Sequence, residues 1–181
     1  SADLELIEEH YPRGPSSSYG LSKLFLEQIA KLYIQKNELD VMIARPFFLI
    51  GPRKVDDVCS TFARNIVAIE RGHRSHISVG NLEIVRDFLD VRDGIEALYL
   101  IANKGITGES YNICSGVGYS LRSVLDIFKK QSKHTVNEKI DSSKIRSIDE
   151  LVRIGDPEKI KMLGWQPLRE IETILSEILQ F

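Results

Sequence analysis

Residues 41–48 read VMIARPFF, an apolar run without alternation that Gly51-Pro52 closes off. A strand with one face in water alternates polar and apolar positions; a strand that does not is covered on both faces, as inside a parallel sheet. Parallel strands need helical crossovers, so this run asks for helices before and after it. Upstream, Leu21, Leu24, Phe25, Ile29, Leu32 and Tyr33 recur at helical spacing over residues 18–36, the pattern of one long amphipathic helix. Ser16 or Ser17 can cap it, Asn37 ends it, and the acidic stretch before it reads as an irregular lead-in.

Downstream the alternation continues. Asp56 or Asp57 can cap a helix over residues 58–71, with Phe62, Ile66 and Ile69 facing inward. HISVGN and IVRDFLDV read as short strands around a turn at Gly80-Asn81, and Asp90, with Asp93 three residues on, opens a helix through GIEALYLIANK. Gly105 and Gly108 bracket a loop before SYNICS, a second buried strand; Ser120 then caps the helix LRSVLDIFKKQ, and TVNEKID reads as an outer strand. Helices over 156–163 and 168–179 close the chain, separated by Gly164-Trp165-Gln166-Pro167, where Trp165 reads as a packed residue. This order of elements points to an α/β fold with a parallel sheet.

Composition narrows the function classes. Hydrophobic residues at 43% and charged residues at 28% are globular values, and 181 residues can bury a full core. A net charge of −2, with both signs interspersed, makes no case for nucleic acid or an anionic membrane surface. No apolar run has the length of a membrane span and no signal peptide opens the chain. Cys59 and Cys114 form no C-x-x-C and the histidines no ligand set, which points to a reduced, cytoplasmic, metal-free protein.

Tyr19 and Lys23 are the candidate chemistry. Residues i and i+4 of a helix share a face, so the phenol and the ammonium can reach one substrate-sized space. A free Tyr titrates at about pH 10, and a nearby cation favours the phenolate, so Tyr19 could exchange a proton with a carbonyl or hydroxyl while Lys23 holds a ligand oxygen. By itself Y-x-x-x-K is met more often as a surface Tyr and Lys on an amphipathic helix.

The neighbouring residues carry a family signal. SSSYGLSK followed by LFLEQIAKLYI resembles the active-site helix of the extended short-chain dehydrogenase/reductase family, which acts largely on nucleotide-activated sugars. ARPFFLIGP, residues 44–52, resembles its R-P-F-N-x-x-G-P segment; RDFLDVRD resembles R-D-F-x-x-V-x-D; and KIRSIDELVRIGDPEKIKMLGWQP resembles an R-P-[ST]-E segment followed by G-D-P-x-K-x-K-x-L-G-W-x-P. VGNLE before RDF narrows the resemblance to the GDP-mannose branch, namely 4,6-dehydratases and 4-keto-6-deoxymannose reductases.

The resemblance implies the carboxyl-terminal part of a Rossmann-type parallel sheet plus a small α/β substrate-binding lobe, within one fragment over residues 1–181. It implies Tyr19 as acid/base, Lys23 on the nicotinamide ribose and Phe47 on the nicotinamide of NADP or NAD. Phe48, Asn81, Arg86, Arg146 and Asp149 fall at substrate positions, with Arg86 and Arg146 on the nucleotide diphosphate. Phe48 stands where the family has Asn and cannot supply its hydrogen bonds, and Asp149 stands where the family has Glu. Arg86 and Asp87 could instead form a surface ion pair.

No G-x-x-G-x-x-G turn occurs, and the family's catalytic Ser or Thr would precede Ser1, so the chain reads as the carboxyl-terminal half of a longer enzyme. The strand at 41–47 would then lack a neighbour, and self-association is expected through that edge or through the Tyr/Lys helix. The implied activity is hydride transfer at sugar C4 of a GDP-sugar, with the RDF segment leaning to the reductase. A UDP-sugar epimerase or decarboxylase, or a non-catalytic nucleotide-sugar-binding fragment, are the alternatives.

Overall fold

Ser17 starts the first element. Its Oγ accepts from the Gly20 amide at 3.1 Å and caps helix α1, Ser18–Gln35. The computed structural model describes residues 6–12, 14–15, 17–36, 38–145 and 150–181, so Ser16 and Asn37 lie outside the described residues.

The expected helix is present, and its apolar stripe is largely exposed. Leu21, Phe25, Leu32 and Tyr33 are exposed, Leu24 and Ile29 are half-buried, and no residue of α1 is buried. Polar bonds hold the helix instead. Glu27 takes both arms of Arg45, from Nε at 2.9 Å and Nη2 at 2.8 Å, and the pair is mostly shielded from water. Arg45 also donates to Ser110 Oγ at 3.0 Å and to the Glu9 carbonyl at 2.7 Å, so one guanidinium joins α1, two strands and the lead-in.

The run VMIARPFF is two strands rather than one. β1, Ile43–Pro46, pairs in parallel with Ser110–Ile113, and β2, Phe48–Ile50, pairs in parallel with Val85–Asp90. Phe47 is the crossover, its amide still bonded to the Ile113 carbonyl at 3.0 Å. Pro46 has no amide to continue a ladder on its free edge, and β1 accordingly stops there, exposed. Among the described strands β1 has the Ser110–Ile113 strand as its one partner.

The intervening elements are α2 (Val58–Glu70), β3 (Ile77–Val79), β4 (Val85–Asp90), α3 (Val91–Lys104) and β5 (Ser110–Ile113). They are followed by β6 (Gly118–Ser120), α4 (Leu121–Gln131), β7 (Glu138–Ile140), β8 (Val152–Arg153), α5 (Glu158–Lys161) and α6 (Ile171–Gln180). β4 is central: β2 and β8 run parallel along one edge and β6 antiparallel along the other. β6 and β8 are too short to show a period and were not expected. β3 does not pair with β4 across Gly80-Asn81; it pairs in parallel with β7. A Cβ at Gly80 would lie 2.7 Å from the Lys144 carbonyl oxygen, so the segment after β7 closes over this turn. The lead-in is partly ordered, Ile7 bridging Gly155 and donating to the Ile154 carbonyl at 2.9 Å.

Two apolar cores result. Phe62 and Ile66 of α2, Leu125 and Phe128 of α4, and Ile174 and Leu175 of α6 fill one, over Ile77 and Val79. Leu89, Ala97, Ile101, Tyr111, Ile113, Ile160 and Trp165 fill the other, between α3 and the β1–β5 pair. Asp57, not Asp56, caps α2, in a reciprocal box with Ser60, and Asp90 caps α3, accepting from the Arg92 amide at 2.7 Å. Asp93 takes no part in that cap. Its carboxylate accepts from the amides of Leu168 and Arg169, at 3.2 and 3.1 Å, and from the Arg169 guanidinium, while its carbonyl accepts from Trp165 Nε1 at 3.1 Å. The two terminal helices are therefore pinned to α3 and are shorter than the sequence suggests. No described helix is long and apolar enough to cross a membrane.

Asp87 is a buried hub rather than a surface ion pair. Its carboxylate accepts from Ser115 N at 2.8 Å, Ser115 Oγ at 2.7 Å, Gly116 N at 2.9 Å and Gly155 N at 3.2 Å, tying β4 to the segments after β5 and β8. Burial raises its pKa and the four donors bring it back only part of the way.

Two outcomes are expected. Glu27→Ala leaves the guanidinium half-paired in a shielded place, so it should lower the unfolding free energy by about 2 kcal/mol and speed amide exchange in α1 while α2 is unaffected; uniform exchange across both helices would contradict this. Because the native Asp87 carboxyl holds its proton where the unfolded one has lost it, its contribution to stability falls as pH rises through the interval above the ordinary Asp value. The stability advantage of wild type over Asp87→Asn, about 2 kcal/mol for the unmet donors, should accordingly shrink across that interval in urea titrations; an advantage that grows with pH would refute the assignment.

Candidate active site

The helical spacing does bring Tyr19 and Lys23 together. Lys23 Nζ lies 5.3 Å from the Tyr19 ring centroid, in cation–π contact, and Tyr19 is 72% exposed. Ser22 Oγ donates to the Tyr19 carbonyl at 2.7 Å and tightens the first turn of α1 beneath the pair. A phenol and an ammonium thus share one helix face, open to a ligand, as proton transfer beside a bound hydroxyl requires.

A second group of residues gathers where the chain leaves one sheet for another. β1 and β5 end together at Pro46 and Ile113, and ligands of open parallel sheets gather beyond such carboxyl ends. Phe47 occupies this point. Its ring lies against Gly155, where a Cβ would come within 2.7 Å of Phe47 Cζ, and the Arg153 guanidinium is 5.9 Å from the ring centroid. Glycine at 155 is what lets the aromatic ring approach the backbone.

Arg86 is half-buried in the middle of this region. Nη1 donates at 2.8 Å to both the Val85 and Glu150 carbonyls, fixing the side chain beside β8. Across the sheet its register neighbours are Tyr119 on β6 and Arg153 on β8. Phe48, in register with Phe88, sets its ring edge-on to it at 5.1 Å and carries Lys54 Nζ 4.7 Å above its face. Phe48 is therefore part of the wall of the larger core, with a cation at its outer side. Asn81 closes a turn, its Oδ1 accepting from the Glu83 amide at 3.0 Å. Arg146 and Asp149 lie outside the described residues.

The structure thus links Phe47 with Arg86 through Arg153, and holds Tyr19 and Lys23 on a helix whose anchor, Arg45, is two residues before Phe47. Sequence reasoning missed three contributors. Arg45 stands inside the quoted R-P-F motif, and Asp87 is an acid within an apolar strand; both signals were available. Arg153 stands inside the quoted KIRSIDELVRIGDP segment, but its place depends on the pairing of β8 with β4.

The chain is similar to known proteins in both sequence and fold. A family model described as GDP-mannose 4,6 dehydratase matches residues 2–178. The GDP-6-deoxy-D-mannose reductase of Pseudomonas aeruginosa is 29% identical over 181 residues, covering 98% of this chain and 59% of the relative. The GDP-6-deoxy-D-talose 4-dehydrogenase of Aggregatibacter actinomycetemcomitans is 29% identical over 163 residues, covering 87% and 52%. Among solved structures, RMD from Pseudomonas aeruginosa complexed with NADPH superposes with a TM-score of 0.90 at 28% identity, covering 99% of this chain and 60% of that one. The chain spans between half and three-fifths of the length of these curated relatives. With residues 2–178, the Tyr/Lys helix among them, inside the matched range, the chain belongs to the GDP-mannose 4,6 dehydratase family.

Proposed function

We propose that this chain is the Tyr/Lys and substrate-binding portion of an NAD(P)-dependent oxidoreductase that reduces the 4-keto group of a GDP-linked 6-deoxyhexose. The observation that carries the reading is the Tyr19–Lys23 pair, exposed on a helix that Arg45 fastens to the strand leading into Phe47. The family and the GDP-sugar names of the relatives support the substrate class.

The nicotinamide, when bound, supplies the hydride that C4 receives. Tyr19 would give its phenolic proton to O4 as the carbonyl becomes a hydroxyl, Lys23 would donate to the ribose hydroxyls, and Phe47 would contact the nicotinamide. The donor set fits this role, since the ammonium of Lys23 has the Tyr19 ring as its contact among the described residues and its N–H groups remain for oxygen acceptors. A cradle for the dinucleotide pyrophosphate belongs, on this reading, to a further dinucleotide-binding portion. Arg86, with Arg146, anchors the GDP diphosphate; Asp149 takes the nucleotide ribose, and Asn81 and Phe48 border the substrate. Buried free thiols at Cys59 and Cys114 suit a reducing, cytoplasmic setting. The exposed Leu21, Phe25 and Leu32 of α1, or the outer edge of β1, are where a second copy would dock.

In the enzyme that contains this chain, Tyr19→Phe should lower kcat by about 10²–10⁴-fold with little change in GDP-sugar affinity. GDP should compete with the substrate and UDP should not. Full turnover in Tyr19→Phe would remove the acid/base assignment, and stronger competition by UDP would favour a UDP-sugar epimerase.

A further inference from the structure

A groove of about 520 Å³ runs between α2 and the end of α6, lined by none of the residues assigned under Proposed function. Arg53, Arg64 and Arg71 edge it, and its floor is apolar, Val67 and Ala68 facing Leu179 and the exposed ring of Phe181. These arginines are short of acids. Arg64 lies 3.7 Å from Asp56, with the side chains 61% and 86% exposed, where pairing is weak. Asp57 is engaged with Lys54 at 3.4 Å, and Glu70 accepts from the Ser132 hydroxyl at 2.8 Å. Arg53 and Arg71 form no ion pair among the described residues, and the Arg53 guanidinium rests 5.3 Å from the Phe181 ring centroid. The helical path of α2 holds as far as Arg71, whose amide donates to the Val67 carbonyl at 3.0 Å. Arg64 and Arg71 therefore stand two turns apart on one face, about 10 Å along the axis, with Val67 and Ala68 between them. Two cations separated by an apolar strip suit two anions on an apolar support better than a single phosphate. That is the pattern of an amphipathic helix with charges at i and i+7 and apolar residues at i+3 and i+4.

We propose that this groove docks an acidic amphipathic helix of a partner protein. Its carboxylates, two turns apart, meet Arg64 and Arg71, and its apolar side chains seat between them against Leu179 and Phe181. The small side chain of Ala68 lets the second helix come close. Charge complementarity selects this occupant over the alternatives. A lipid headgroup layer would meet the arginines and leave the apolar floor uncovered. A second copy of the chain does not fit, because the acid pair with the right spacing on its described helices is Glu170 and Glu177 of α6. Between those two Ile174 is buried in the core, and Glu177 is already paired with Arg92 at 2.6 Å. The inference stands apart from the nucleotide-sugar reading.

The test is fluorescence anisotropy of a dye-labelled, alanine-based helix of about four turns, with glutamate at i and i+7 and leucine at i+3 and i+4, titrated with the 181-residue chain. A control peptide carries lysine at both charged positions. Wild type should bind the glutamate peptide, more weakly as salt rises, and reject the lysine peptide. The double variant Arg64→Glu, Arg71→Glu should bind the glutamate peptide about tenfold or more less tightly and accept the lysine peptide instead. Because both arginine side chains are exposed, its urea midpoint should stay close to that of wild type, which separates loss of docking from loss of fold. Binding of neither peptide by wild type, equal binding of both, or glutamate-peptide binding indifferent to the charge reversal would overturn the proposal. So would a smaller oligomer of the double variant in sedimentation, which gives the groove to a second copy. Wild-type binding to phosphatidylcholine–phosphatidylserine vesicles that the glutamate peptide does not displace would overturn it in favour of a lipid surface.

Discussion

Arg45 sits where four pieces of chain converge, and its bonds decide how the Tyr/Lys helix meets the sheet. Its guanidinium supplies both arms to Glu27, one donor to Ser110 and one to the Glu9 carbonyl. A lysine has no planar fork and could not satisfy these directions at once. The consequence is unusual for a helix of this length: α1 lies on the sheet through a shielded ion pair and keeps its aliphatic and aromatic residues outside. Partly buried ion pairs give little net stability but penalise every arrangement that breaks them, so the pair specifies position more than it adds free energy. Position is what a proton donor on α1 and an aromatic ring after β1 both need.

A second fixed point lies on the other side of the crossover at Phe47. Asp87 gathers the amides of Ser115, Gly116 and Gly155 and thereby sets the turn after β5 and the strand end after β8. Phe47 rests on that backbone, and Arg153 and Arg86 stand beside it. The two halves of the candidate site are thus held by one charged residue each. Arg45 fixes the helix that carries Tyr19 and Lys23, and Asp87 fixes the backbone at Gly155 on which the Phe47 ring rests.

Much of this was legible from residue order. Helix positions followed from apolar spacing and cap chemistry, and the Ser17, Asp57, Asp90 and Ser120 caps lie where side-chain acceptors precede the apolar runs. Spacing reports which residues share a face, but not what lies against it, so the exposure of the α1 stripe shows only in the fold. Pro46 ends β1, yet an apolar run of eight residues hides a change of sheet partner, because neither half alternates polar with apolar positions. Asp93 was assigned to a cap because it is near one in sequence, while its true partners, Leu168 and Arg169, are far along the chain. The strands β6 and β8 are short and pair only through β4, so the neighbourhood of Arg86, and with it Arg153, could not be read before the fold was known.

The proposed GDP-sugar site has Arg86 as its diphosphate anchor and is separable from the dinucleotide site. The most direct measurement is calorimetric titration of the chain with GDP, UDP and NADPH, repeated on Arg86→Ala. Saturable GDP binding that is lost in the variant, with weaker binding of UDP and little of NADPH, is the expected result. Equal GDP binding by Arg86→Ala, or binding of NADPH in preference to GDP, would contradict it.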